Sequence, residues 1–115
     1  YVPGNVLKAE LGRERYNLIW IGQFPHYLGS QAAVKLLKGA RDALARGGVI
    51  ILYEDVADEE RCEAEYALLE DMWLYTVSSG GRFYTRRELG ELLAKAGLIV
   101  VAETTRGHRV FLKAA

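Results

Sequence analysis

Two stretches, Tyr16-Asn17-Leu18-Ile19-Trp20-Ile21-Gly22 and Val49-Ile50-Ile51-Leu52-Tyr53, decide the fold together with the segment between them. The first is rich in aromatic and β-branched types and ends at a glycine, which reads as a buried strand and its exit loop over residues 16–21. The second is continuous and apolar, as expected of a strand covered on both faces. Between them, residues 31–45 place Ala33, Leu36, Leu37, Ala40 and Leu44 on one stripe, with Lys35, Lys38, Arg41 and Asp42 away from it. That spacing predicts an amphipathic helix. Ser30 is placed to cap its start, and Gly47-Gly48 to take the left-handed conformation just past its end. Strand, helix and strand make one right-handed crossover unit.

Working outward, residues 58–76 predict a second helix with Tyr66, Leu69, Met72 and Trp73 on one side and Asp58, Glu59 and Glu60 at the positive end of its dipole. Thr85-Arg86-Arg87-Glu88 is a capping box, in which the threonine oxygen and the glutamate each satisfy a first-turn amide. It opens a third helix with the stripe Leu89, Leu92, Leu93 and Ala96, closed by Gly97. Residues 98–104 and 108–113 read as two last strands around Thr105-Arg106-Gly107. With no repeat, low-complexity tract or linker, the pattern predicts one α/β unit over residues 1–115. We expect three layers, a sheet of about four strands and a last strand antiparallel to the others.

Half of the 115 residues are hydrophobic, which argues against disorder, although so small a unit has little surplus stability. Fifteen basic residues balance fifteen acidic ones, so no overall field draws the chain to nucleic acid or an acidic membrane; a small molecule or a protein is the better partner. The short basic groups Arg82, Arg86, Arg87 and Arg106, His108, Arg109 read as solvated surface. The one cysteine, Cys62, has no disulfide partner and no ligand at metal spacing, which argues against a metal site and fits a reducing cytoplasm. The apolar run over residues 49–53 is far shorter than a membrane span and no charged-then-apolar leader opens the chain, so it reads as soluble and untargeted. A chain that opens on Tyr1 rather than Met reads as an internal start.

The spacing from Tyr16 to Val56 resembles the fourth strand, following helix and fifth strand of the plant caffeate and animal hydroxyindole O-methyltransferase family, class I enzymes that use S-adenosylmethionine. Gly80-Gly81-Arg82-Phe83-Tyr84-Thr85-Arg86-Arg87-Glu88 is similar to that family's Gly-Gly-basic segment and Thr-x-x-Glu helix start, and the closing helix and strand pair are ordered alike. The likeness covers nearly the whole chain and implies the C-terminal part of a Rossmann-like catalytic domain. Two departures stand out. Tyr27 follows the base position where the family has aspartate, and Phe83 stands where the family often has a glutamate that orients the base. No Gly-x-Gly occurs, although the donor's methionine and ribose call for a Gly-rich turn. The strands that carry that turn are therefore expected outside this chain.

By the resemblance, His26, in the loop Gln23-Phe24-Pro25-His26-Tyr27-Leu28-Gly29-Ser30, falls on the general base. An imidazole near neutral pKa suits removal of a hydroxyl proton, and the alternative is a histidine packed at a helix entrance. Glu54, with Asp55, sits at the C-terminal end of a strand, where open α/β sheets bind ligands. Glu54 reads as orienting substrate or His26; solvated acid is the alternative, more so for Asp55. Asn5, Val6, Gly22 and Gln23 are carried over as the adenine and sulfonium side of the donor site, against ordinary turn chemistry. Tyr27, Met72, Trp73, Tyr75 and Phe83 offer an apolar aromatic pocket for a flat acceptor, or else core.

These residues imply a methyltransferase fragment acting on a hydroxyl of a small molecule, inactive alone, with S-adenosylmethionine as cofactor of the complete protein and a homodimer as in the family. A non-catalytic module is the rival, since residues 16–21 form an edge that lacks a partner and invites self-pairing. A different doubly wound nucleotide binder is a third reading.

Overall fold

Among the described residues, 2–61 and 65–115 of the computed structural model, the chain runs β1 (Tyr16–Gly22), a single 3-10 turn (Pro25–Tyr27), α1 (Ser30–Ala43), β2 (Leu44–Asp55), α2 (Glu65–Val77), α3 (Arg86–Lys95), β3 (Val100–Arg106) and β4 (Arg109–Ala114). The readings of Cys62 and of the Tyr66 side chain lie outside the described residues. The strands form one mixed sheet in the order β1-β2-β4-β3. β1 and β2 are parallel, with Ile19 opposite Ile50 and Ile21 opposite Leu52, as a strand-helix-strand crossover requires. β4 inserts antiparallel between β2 and β3, as expected of the last strand.

The core lies on one face of this sheet. Ala33, Leu36, Leu37 and Ala40 of α1 and Leu89, Leu92 and Leu93 of α3 pack with Ile21, Ile50, Leu52, Val110, Leu112 and Ala114. The helical stripes read from the sequence are therefore the buried ones. The opposite face carries no described helix in this cluster: Leu18 and Trp20 are each 58% exposed, while Tyr53 and Phe111 stack on one another, centroids 4.6 Å apart. This corrects the expectation of three layers and of strands buried on both faces. Alternate side chains of β1 point to the uncovered side, and among the described residues its outer edge has no strand partner.

Other differences are local. The N-cap of α1 is Gly29 and no side chain caps it, so Ser30 stands one residue too late for the role. The helix ends at Leu44, whose backbone is already extended, rather than at Gly47-Gly48. Those glycines sit instead where the pairing shifts from Tyr16–Leu44 to Leu18–Val49, and a Cβ on Gly48 would lie 2.9 Å from the Tyr16 carbonyl oxygen. On α2, Leu69, Met72 and Trp73 are exposed, and among the helix's described side chains the buried one is Leu74, packed with Ala57 and Phe83. Apolar residues all round that helix leave periodicity unable to choose a side. Glu59, read as an α2 dipole partner, instead accepts from the Arg87 amide (3.0 Å), in the first turn of α3. There the capping box is complete: Glu88 N–H donates to Thr85 Oγ1 (3.2 Å) and Thr85 N–H to Glu88 Oε2 (2.8 Å). The hairpin turn falls on Gly107 and His108 rather than on residues 105–107, because β3 runs on to Arg106.

Candidate active site

β2 ends in acid at the edge of the core, and that acid is not solvated. Glu54 Oε2 lies 2.7 Å from His26 Nδ1, and Glu54 Oε1 accepts the Phe24 N–H at 2.9 Å. The two side chains are 7% and 1% exposed, His26 and Glu54 respectively. Both carboxylate oxygens are thus occupied, as a buried charge needs. An ionised Glu54 can only accept, and the Nδ1–H tautomer of His26 is the one that can donate to it, with Nε2 then the ring's accepting nitrogen.

The segment before α3 closes over this pair. Gly80 has φ +86°, and a Cβ on Gly81 would lie 2.6 Å from the His26 carbonyl oxygen, so the paired glycines let the segment rest on the His26 turn. The Arg82 N–H donates to that same carbonyl (2.8 Å). Phe83 then stacks on the imidazole, centroids 5.4 Å apart and planes 7° from parallel, while Tyr27 lies 4.3 Å from it on the turn itself. Trp73 of α2 meets the Tyr27 ring edge-on at 6.1 Å. Burial holds the Tyr84 phenol above its ordinary pKa, and its O–H donates to the Leu28 carbonyl (2.6 Å). The 3-10 turn is thereby tied to the segment from both ends.

Along the open edge of β1 runs a cleft of about 820 Å³, lined by Asn5, Val6, Trp20, Gly22, Phe24 and Leu28 among others. Asn5 Oδ1 accepts the Leu7 N–H (2.9 Å), a local turn that leaves the side-chain amide nitrogen as its other polar atom. The wall is mainly apolar and carries two aromatic rings, Trp20 and Phe24, which suits a flat ligand face.

No family model matches the chain. A tetracenomycin polyketide synthesis 8-O-methyl transferase of Streptomyces glaucescens is 30% identical over 90 residues, which are 78% of this chain and 26% of that protein. PigF, solved with SAH, superposes with a TM-score of 0.86 at 21% identity, over 96% of this chain and 33% of its own. Human N-acetylserotonin methyltransferase, solved with SAM, gives 0.83 at 21% identity over 96% and 32%. The fold is that of part of a class I O-methyltransferase. The resemblance is to the small-molecule O-methyltransferases, of which this chain spans about a third of the length or less.

On this methyltransferase fold the predicted residues fall into two groups. His26, Glu54, Tyr27, Trp73 and Phe83 meet in one cluster. Asn5, Val6 and Gly22 share the cleft, and Phe24 and Leu28, which flank the His26 turn, line it too. Gln23, at φ +52°, sits between the groups, its N–H donating to the Tyr53 carbonyl (2.9 Å). Met72, 68% exposed, and Tyr75, 86% exposed, point outward from α2. Asp55 faces Arg109 Nε (3.3 Å) and His108 Nε2 (3.6 Å), away from the pair. Trp20 and Phe24 as cleft walls, and Asp71 as an anchor of Phe83, escaped the sequence reading. Aromatic residues beside a strand exit give a weak signal for a cleft; the Asp71 contact, twelve residues away in sequence, gives none. Among the described residues, no group of metal-ligating side chains converges and no helix is long and apolar enough to cross a membrane.

Proposed function

We propose that the chain is the C-terminal, acceptor-facing part of a cytoplasmic S-adenosylmethionine-dependent methyltransferase that modifies a hydroxyl of a small molecule, with His26 as general base. The observation that carries the reading is the buried 2.7 Å contact between His26 Nδ1 and Glu54. S-adenosylmethionine, when bound, supplies the methyl group. His26 Nε2 would take the acceptor's hydroxyl proton, and Glu54 would hold the tautomer and steady the imidazolium that forms. Tyr27, Trp73 and Phe83 exclude water around the imidazole; Met72 and Tyr75 extend the apolar wall where the acceptor or a partner subunit covers α2. Asn5, Val6, Gly22 and Gln23 border the donor, and the Gly-rich strands that complete its site belong to sequence outside this chain. An aromatic hydroxyl is the acceptor favoured by these walls and by the polyketide chemistry named for the Streptomyces relative.

Calorimetric titration of the chain with S-adenosylmethionine should show no micromolar binding; micromolar affinity would refute its incompleteness. With the donor-binding part restored, His26→Gln should lower kcat by roughly 10²–10⁴-fold, the range of general-base catalysis, with little change in donor affinity. Wild-type turnover in that variant would remove His26 from the mechanism.

The open edge of β1 and the exposed Leu18 and Trp20 beside it favour a second reading, a module that pairs with itself as a homodimer without catalysis. A strictly monomeric chain at high concentration in sedimentation would count against it.

A further inference from the structure

A single hydrogen bond fixes one atom of an imidazole but leaves the ring free to rock about the Nδ1–oxygen axis. His26 has such a bond to Glu54, and Tyr27, itself 38% exposed, cannot wall the ring alone. Phe83 supplies the missing constraint: its ring lies 7° from parallel with the imidazole and is 4% exposed. Its own placement is fixed on three sides. The Phe83 N–H donates to Asp71 Oδ1 of α2, its carbonyl accepts from Arg61 Nη2 (3.1 Å), and Leu74 packs with it from α2. Arg61 spans the same anchors, reaching Asp71 Oδ2 (3.3 Å) and Glu88 Oε2 of the α3 capping box (2.8 Å).

We propose that Phe83, anchored through its backbone by Asp71 and Arg61, is a positioning residue that sets the plane of the His26 imidazole and so keeps Nδ1 aligned with Glu54, which holds the tautomer. The proposal rests on His26 being the base, but its geometry does not need a bound ligand. It gives α2 and α3 a mechanical hold on the base, because Asp71 belongs to one helix and Glu88 to the first turn of the other.

The test is nitrogen-15 spectroscopy of the histidine rings. The sequence holds two histidines, His26 and His108, so a His108→Gln background assigns the signals. The ionisable groups around His26 are Glu54 from β2, Tyr27 beside it in the chain and, next to Glu54, Tyr84. All three are retained in every variant. Wild type should show Nδ1 protonated, with its proton exchanging slowly. Phe83→Leu should speed that exchange and raise the minor tautomer by roughly two- to tenfold, the weight of one aromatic pair. Phe83→Tyr, which keeps a flat ring, should restore wild-type values. A folded Phe83→Leu protein with unchanged exchange and tautomer ratio would overturn the proposal. Should that variant fail to fold, Asp71→Ala, at a part-exposed position, replaces it: faster exchange supports the proposal and an unchanged rate overturns it. Loss or retention of turnover in His26→Gln bears on the base alone, so the two claims can fail separately.

Discussion

The two faces of the sheet have the same strands and opposite circumstances. On one, Ile50, Leu52 and Leu112 are sealed by α1 and α3, with Ile50 and Leu52 wholly out of water. On the other, Leu18 and Trp20 lie largely in water, and the stacked Tyr53 and Phe111 are only partly covered. Apolar residues on a strand are not by themselves evidence that this chain covers them. The covered face is where the chain holds itself together, and the solved structures it matches are about three times its length.

The largest effect should come from breaking the covered face. Leu52→Ala removes a wholly buried side chain between two helices, and should lower unfolding free energy by about 2–5 kcal/mol, read from the urea midpoint. A loss of well under about 1 kcal/mol would mean that this face is as loosely held as the other, and the contrast would collapse.

What could be read from the sequence divides along the same line. The capping box Thr85–Glu88 and the stripes of α1 and α3 were legible because each is a local pattern with a local cause. The parallel pairing of β1 with β2 was legible from strand-helix-strand spacing, whereas the insertion of β4 between β2 and β3 was not. Burial of β1 was not, because the exposure of Leu18 depends on what lies across the sheet rather than on Leu18 itself. Nor was the buried side of α2, where Leu74 and Met72 are equally apolar and only the position of Phe83 decides between them. At the site, resemblance singled out His26 and the strand end singled out Glu54; their meeting across 28 residues is a fact of the fold. The hold of Asp71 on the Phe83 amide carries no sequence signature, since any polar residue on that turn of helix looks the same.

A smaller and conditional effect sits at the margin of the covered face. Arg86 of α3 donates through Nε and Nη2 to Glu103 of β3, the latter contact at 2.7 Å, and the bond holds the Glu103 carboxyl below its ordinary range. A depressed carboxylate pKa means that the folded state binds fewer protons than the unfolded one, so the contribution is present above the unfolded pKa and fades as pH falls through the folded value. Glu103→Gln should therefore cost a little stability near about pH 7, lose that difference near about pH 3, and shrink in high salt because the pair is exposed. A penalty that persists in acid would place the role of Glu103 in packing rather than charge.

The smallest effect is the sharpest test of the open face. Leu18→Thr keeps a good strand former at a position 58% exposed, so the stability of this chain should stay within about 0.5 kcal/mol of wild type. If the open face is met by further polypeptide when the donor-binding part is present, the same substitution there should cost about 1.5–3 kcal/mol, the weight of a buried leucine. One side chain measured in two lengths of protein thus reports whether the second face is surface or interface. Equal and negligible costs in both would leave Leu18 exposed in either context, and the apolar character of that face would need another cause.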